Sequence, residues 1–183
     1  MPFVNGLMNG VMWALCWCAV PAVGAAPADR GAESTKRSVM PPDRQAERES
    51  ALAAEITQIS LEQDCSGCAT GSVLVVRRDG SVSFTVQGKS RLGGLSRQEA
   101  GRVSAQDFSA LARLIVAQGY FEMNDEYQNP ELQDGAWAVT RVSRNGQEKQ
   151  VFRRDDAAPA ALTAIERAVS ELKARIRFTP VAS

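Results

Sequence analysis

Val73-Leu74-Val75-Val76-Arg77-Arg78-Asp79-Gly80-Ser81-Val82-Ser83-Phe84-Thr85-Val86 is two runs rich in β-branched residues around an Asp-Gly dipeptide. Asp-Gly tolerates the positive φ angles that a two-residue hairpin turn requires. Closing the chain there sets Arg77 opposite Val82, Val75 opposite Phe84 and Val73 opposite Val86. Four apolar side chains then share one face. Leu74, Val76, Ser83 and Thr85 fall to the other face, which is expected to be only partly covered.

The pattern recurs downstream. Ala136 to Ser143 and Gln147 to Arg154 flank Asn145-Gly146, a second strong turn. The register pairs Val139 with Phe152 and Thr140 with Val151. Each hairpin precedes a helical pattern. Phe108, Leu111, Ala112 and Ile115 recur at helical spacing after a capping pair, Ser104 and Asp107, and this helix ends at Gly119. Leu162, Ile165, Val169, Leu172 and Ile176 form the second stripe, with Asp155 or Asp156 as its cap and Pro159 in its first turn. A leading strand precedes both, because Thr57, Ile59 and Leu61 alternate with Gln58, Ser60 and Glu62. Gln87 to Val103, rich in Gly and basic residues, reads as a long loop. These elements imply an α+β fold in two layers. An antiparallel sheet of about five strands carries two β-hairpins, each followed by a helix, and both helices pack on one face.

The chain of 183 residues suits one domain, spanning 54–178, with a tail at 179–183. Residues 1–28 read as a secretory signal peptide. An apolar run, Val11 to Val20, is too short to span a bilayer comfortably, and small residues before Ala26 or before Asp29 suit a signal peptidase. No Lys or Arg precedes Arg30, so an uncleaved anchor is the alternative. Residues 29–53 read as a polar linker, with a short helix from Asp43 as an option. The expected address is periplasmic or secreted, with no membrane span left after cleavage.

Export leaves Cys65 and Cys68 as the cysteines of the mature chain. In an oxidising compartment two cysteines this close are expected to be bridged. The bridge acts as a clip between the first strand and the hairpin, worth roughly 2 kcal/mol by loop closure. The other reading of Cys65-Ser66-Gly67-Cys68 is a thiol–disulfide site with Cys65 attacking. Such chemistry normally uses a helix N-terminus to lower the thiol pKa, and a Val-rich strand follows here instead.

The chain has no histidine, which removes the commonest general base and the usual zinc ligand. Zinc would need two further soft ligands, so no metal and no cofactor is expected. Lys plus Arg number 21 and so do Asp plus Glu, which argues against a strong claim on nucleic acid or anionic lipid. The acidic stretch Glu122, Asp125, Glu126, Glu131 and Asp134 lacks calcium-loop spacing, and a solvated loop is the plainer reading. Trp137 is expected in the core. Arg77, Arg78, Lys89 and Arg91, with Arg97 and Arg102 nearby, are the candidate partner-binding residues. They can meet an acidic partner or a phosphate, although the favoured reading is protection of a strand edge and an ordinary wet loop. No nucleotide, protease or hydrolase motif is present.

Taken in order, Ile56 to Leu61, Cys65 to Gly71, Asp79-Gly80, Phe108 to Ala117, Phe121 to Tyr127, Asn145-Gly146 and Leu162 to Leu172 resemble a family of secreted bacterial domains of unknown function. That family carries a Cys-x-Gly-x-Cys-Pro-x-Tyr element. This chain has Cys-Ser-Gly-Cys-Ala-Thr-Gly there, one residue shorter between the cysteines and without the Pro and Tyr. The resemblance covers about residues 54 to 178. It implies an exported α+β domain and brings no activity with it. The function expected is a non-catalytic binding or interaction module of the cell envelope, whose partner is an unidentified envelope protein or ligand.

Overall fold

The computed structural model describes residues 41–131 and 134–181. The expected signal peptide and the first part of the linker lie outside them. The described residues belong to one unit of the chain, Val39–Ser183.

The fold is α+β, with three helices and a mixed sheet of eight strands, larger than the five-strand sheet and two helices expected. In chain order the elements are α1 (Pro42–Ala54), β1 (Ile56–Cys65), β2 (Thr70–Arg77), β3 (Ser81–Gly88), β4 (Arg97–Arg102), α2 (Ala105–Ala117), β5 (Glu126–Tyr127), β6 (Ala136–Arg144), β7 (Gln147–Arg154), α3 (Ala160–Arg175) and β8 (Thr179–Pro180). The strands lie in the order β5-β7-β6-β1-β2-β3-β4-β8. The leading strand is therefore central, with one hairpin on each side. Its middle, Ile59-Ser60-Leu61, is buried on both faces. Near its start a register shift between Ile56 and Gln58 keeps Ile56 and Ile59 both in the core and turns Thr57 outward.

Three additions account for the larger sheet. Arg97–Arg102, expected within the long loop, pairs with β3 along its whole length. Thr179–Pro180, expected as tail, pairs with β4 at Glu99 and Ala100. Glu126–Tyr127 lies parallel to β7, which makes the sheet mixed. None of the three has an alternating apolar pattern, so local reading passes over them.

The helices account for the rest. Ser104 caps α2 by accepting from the Asp107 N–H at 3.0 Å, and Phe108, Leu111, Ala112 and Ile115 are buried. On α3, Leu162, Ile165, Val169 and Leu172 are buried, and Ile176 packs against the core from just beyond the helix. The cap is Pro159, not Asp155 or Asp156; Asp155 adopts φ 49° and instead accepts from the Ala136 N–H at 3.1 Å. Helix α1, which packs on α2, occupies much of the stretch expected as linker. All three helices bury residues in one cluster with Ile59, Leu61, Leu74, Val76, Val82, Phe84 and Val142, so they share one face of the sheet.

Two polar anchors sit within that core. Tyr120, fully buried, donates its hydroxyl to the Thr140 carbonyl at 2.6 Å, with the Lys149 carbonyl at 3.1 Å, and burial pushes its pKa up. Glu166, 5% exposed, meets Arg153 Nε at 2.7 Å and ties α3 to β7. Breaking a pair so enclosed leaves an uncompensated charge.

Candidate functional sites at the two ends of the sheet

The first hairpin closes one residue away from the expected register. Leu74 faces Phe84, Val76 faces Val82 and Ser72 faces Val86, so the loop holds three residues, Arg78-Asp79-Gly80. Leu74, Val76, Val82, Phe84 and Val86 are the buried set, while Val73 and Val75 lie on the opposite face, half-buried. The physical reason is the core, because a one-residue slip moves every side chain across the sheet.

That register also separates the four candidate partner-binding residues. Arg77 and Arg78 stand at the β2–β3 turn, whereas Lys89 and Arg91 follow the far end of β3. The strand between them spans about 25 Å at ~3.3 Å per residue. Arg78 is committed to structure: its guanidinium donates to the Ala54 carbonyl and its backbone N–H to the Thr57 carbonyl at 3.0 Å. A cation is favourable at that helix C-terminus. Lys89 is likewise engaged, at 2.6 Å from Asp64 Oδ1 and 2.8 Å from the Cys65 carbonyl. Arg77 and Arg91 are exposed.

At the turn end, the register places Arg102 beside Ser81, and Ser81 beside Arg77, on one face. The last turn of α3 and the segment after it bring Arg175 and Arg177. Arg102, Arg175 and Arg177, with Ser81, Gly101 and Thr179, line an open cleft of about 660 Å³. Arg175 meets Asp107 at 3.5 Å, with both side chains largely exposed. Among the described residues Arg102 donates only to the Asp79 carbonyl, at 3.4 Å, and Arg177 has no ion pair. Asp79 is held below the ordinary carboxylate value by the Ser81 hydroxyl and N–H, with lesser help from the Arg77 and Arg102 charges. The cleft thus carries more positive charge than its carboxylates neutralise. Arg175 and Arg177 escape sequence reading because they lie far along the chain from the hairpin they join.

At the other end, Cys65 and Cys68 are bonded within the β1–β2 turn, with Cα atoms 5.2 Å apart. The turn is held by the Cys68 N–H donating to the Cys65 carbonyl at 3.3 Å and the Ser66 N–H to the Gly135 carbonyl at 3.3 Å. The Gly-rich segment folds back on it. Lys89 N–H donates to the Ala69 carbonyl at 2.9 Å, and a Cβ on Gly94 would lie 1.9 Å from that oxygen, so only glycine fits. No helix follows Cys68, and the Lys89 charge is balanced by Asp64. The usual means of lowering a thiol pKa are not assembled around the bridge. Beside it opens a groove of about 410 Å³ lined by Gln63, Ser72, Phe84, Val86, Arg97 and Lys173 among others.

Two expectations fall outside both ends. Trp137 is half-buried on the sheet face away from the helices, its ring 6.2 Å from that of Phe152, and is not a core residue. In the acidic stretch Asp125 pairs with Lys149, which also donates to the Met123 carbonyl at 2.8 Å. Among the described residues no three His, Cys, Asp or Glu side chains are grouped to hold a metal ion. Nor, among them, is any helix long and apolar enough to cross a membrane.

Compared with known protein families and with curated proteins, the chain matches none.

Proposed function

We propose that this protein is an exported, non-catalytic binding module of the cell envelope, and that it engages an acidic protein partner at the arginine end of its sheet. The observation that carries the reading is the convergence of Arg102, Arg175 and Arg177 on one open cleft in a chain of formally zero net charge. Charge gathered at one place in a neutral chain gives an oriented attraction without general adhesion to polyanions. Arginine outnumbers lysine throughout the chain, so the argument rests on convergence and not on residue type. Export is supported by the apolar run and small residues before Asp29, and by the likeness in element order to the secreted family.

The test is capture from envelope extract by the wild-type protein and by an Arg102→Ser/Arg177→Ser variant. The expected partner is acidic, is retained by wild type alone, and elutes as salt rises above physiological ionic strength, where the screening length falls below roughly 8 Å. Equal capture by both proteins removes the arginine end from the reading. N-terminal sequencing of the recovered protein tests export separately. A start between residues 26 and 29 supports cleavage, and an intact Met1 excludes it.

A thiol–disulfide activity at Cys65 and Cys68 is the second reading, less well supported because nothing near the bridge favours a thiolate. A reduction potential near those of periplasmic oxidants would reverse that order.

A further inference from the structure

We propose that the groove beside the disulfide is a separate binding site for a small organic anion. Its acidic group lies between Lys173 and Arg97, and its apolar body rests against Phe84, Val86 and the Cys65–Cys68 bridge. This site is distinct from the arginine end and stands or falls apart from it.

The sheet supplies the floor. Gln63, Ser72, Val86 and Arg97 form one row across β1, β2, β3 and β4, on the face that carries the helices. Over most of that face the helices bury the side chains; at this row the floor opens into the groove. Its volume of about 410 Å³ falls within the ~300–1,000 Å³ common for small-molecule sites. Phe84 and Val86, each only 6% exposed, show a narrow apolar edge beside the polar ends of Gln63 and Ser72, which suits a ligand of mixed character.

The positive groups define its charge, because the carboxylate in the lining, Asp64, is paired with Lys89 at 2.6 Å. Lys173 is half-buried, with its ammonium 3.7 Å from the centre of the Phe84 ring. Among the described residues no carboxylate lies within 4.0 Å of it and no oxygen accepts from it. An ammonium has three N–H donors, and a ring face satisfies them poorly. Burial first, and then the Arg97 charge, push the Lys173 pKa below its ordinary value, against a smaller opposing pull from Glu99. Arg97 gives its Nε to Glu99 at 3.0 Å, leaving the outer guanidinium nitrogens available. A carboxylate or similar oxyanion placed between them would accept from both cations. It would also offset their mutual repulsion, which the single Glu99 carboxylate does only in part. Charge complementarity and the apolar floor thus select the same ligand class.

Octanoate is the probe, titrated into the full-chain protein and followed by calorimetry and by backbone amide shifts. The expected result is saturable binding with shifts centred on Ser72, Val86 and Arg97. Octanol, with the same body and no charge, binds at least tenfold more weakly, and octylammonium does not bind. Lys173→Met keeps the apolar stem over Phe84 and removes the charge, and lowers octanoate affinity roughly tenfold, the scale of one charge-assisted hydrogen bond. Arg97→Gln, on an exposed side chain, lowers it several-fold and decides the matter if Lys173→Met fails to fold. The proposal is overturned if octanoate gives no shifts at millimolar concentration, if octanol binds equally well, or if the shifts centre elsewhere. Full affinity in the variants overturns it too.

Discussion

The Asp79-Gly80 and Asn145-Gly146 hairpins begin from the same turn chemistry and close one residue apart. In the second, Asn145 has φ 51° and Gly146 φ 76°, the two positive values of a two-residue loop, and Val139 faces Phe152 as expected. In the first, only Gly80 has a positive φ, at 81°, and Arg78 joins the loop. Two things outside the hairpin account for this. The three-residue loop puts five buried apolar residues on the helix side, where the two-residue loop would put four apolar residues of a different set. The extra residue is also held from elsewhere, since Arg78 donates to α1 and β1, and Gly80 accepts from the Val103 N–H at 3.0 Å. A turn dipeptide sets register only where the face it implies agrees with the core.

The comparison can be broken most severely by Leu74→Ala/Val76→Ala, which removes two of the buried side chains that the three-residue loop places on the helix side. The cost should be roughly 3–6 kcal/mol for two truncated buried aliphatic side chains. Urea unfolding should show the domain largely unfolded in buffer; near wild-type stability would mean that the core does not decide the register. Next, Gly80→Ala and Gly146→Ala separate backbone preference from crowding. Both residues are left-handed, but a Cβ at Gly80 would meet the Val103 carbonyl at 2.8 Å, while one at Gly146 meets nothing within 4 Å. Gly80→Ala should cost roughly 2–4 kcal/mol and Gly146→Ala about 1–2 kcal/mol; equal losses would discard the role given to Val103. Arg78→Met should cost about 0.5–1 kcal/mol by freeing the α1 C-terminus, read as faster amide exchange in the last turn of that helix.

The smallest difference is in pH dependence. The Asp79 pKa is lowered by folding, so its contribution is present above the unfolded value near 3.8 and is lost as pH falls through the lower folded value. The stability gap between wild type and Asp79→Asn should therefore be level at neutral pH and shrink in acid. Gly146 has no side chain and a Cβ there meets nothing within 4 Å, so Gly146→Ala should show no such trend. A gap for Asp79→Asn that persisted in acid would contradict the bonds to Ser81.

Several elements were open to reading from residues alone because their signals are local. Ser104 caps α2, Leu162 to Leu172 line α3, Gly119 takes φ 65° after α2, and Asn145-Gly146 sets its own register. Other parts needed partners distant in sequence. Arg97–Arg102 carries Gly101 and four polar or charged residues, so it looks like loop until β3 pairs with it. Lys173 reads as an ordinary solvated residue of α3; its position four residues after the buried Val169 was the available hint that its stem leans inward. Arg77 and Arg78 adjoin in sequence, yet one is exposed and the other anchors a helix, a distinction that composition does not carry.

By itself the sequence determined the α+β class, the two hairpin turns, two of the three helices and the short bridge-forming spacing of Cys65 and Cys68. Those follow from backbone preference and apolar periodicity, which act over a few residues. Tertiary structure decided the central place of β1, the register of the first hairpin, the edge strands, and which cations are consumed by structure and which line a groove. These depend on where the chain buries its apolar surface, and that is settled only when segments far apart in sequence compete for the same face.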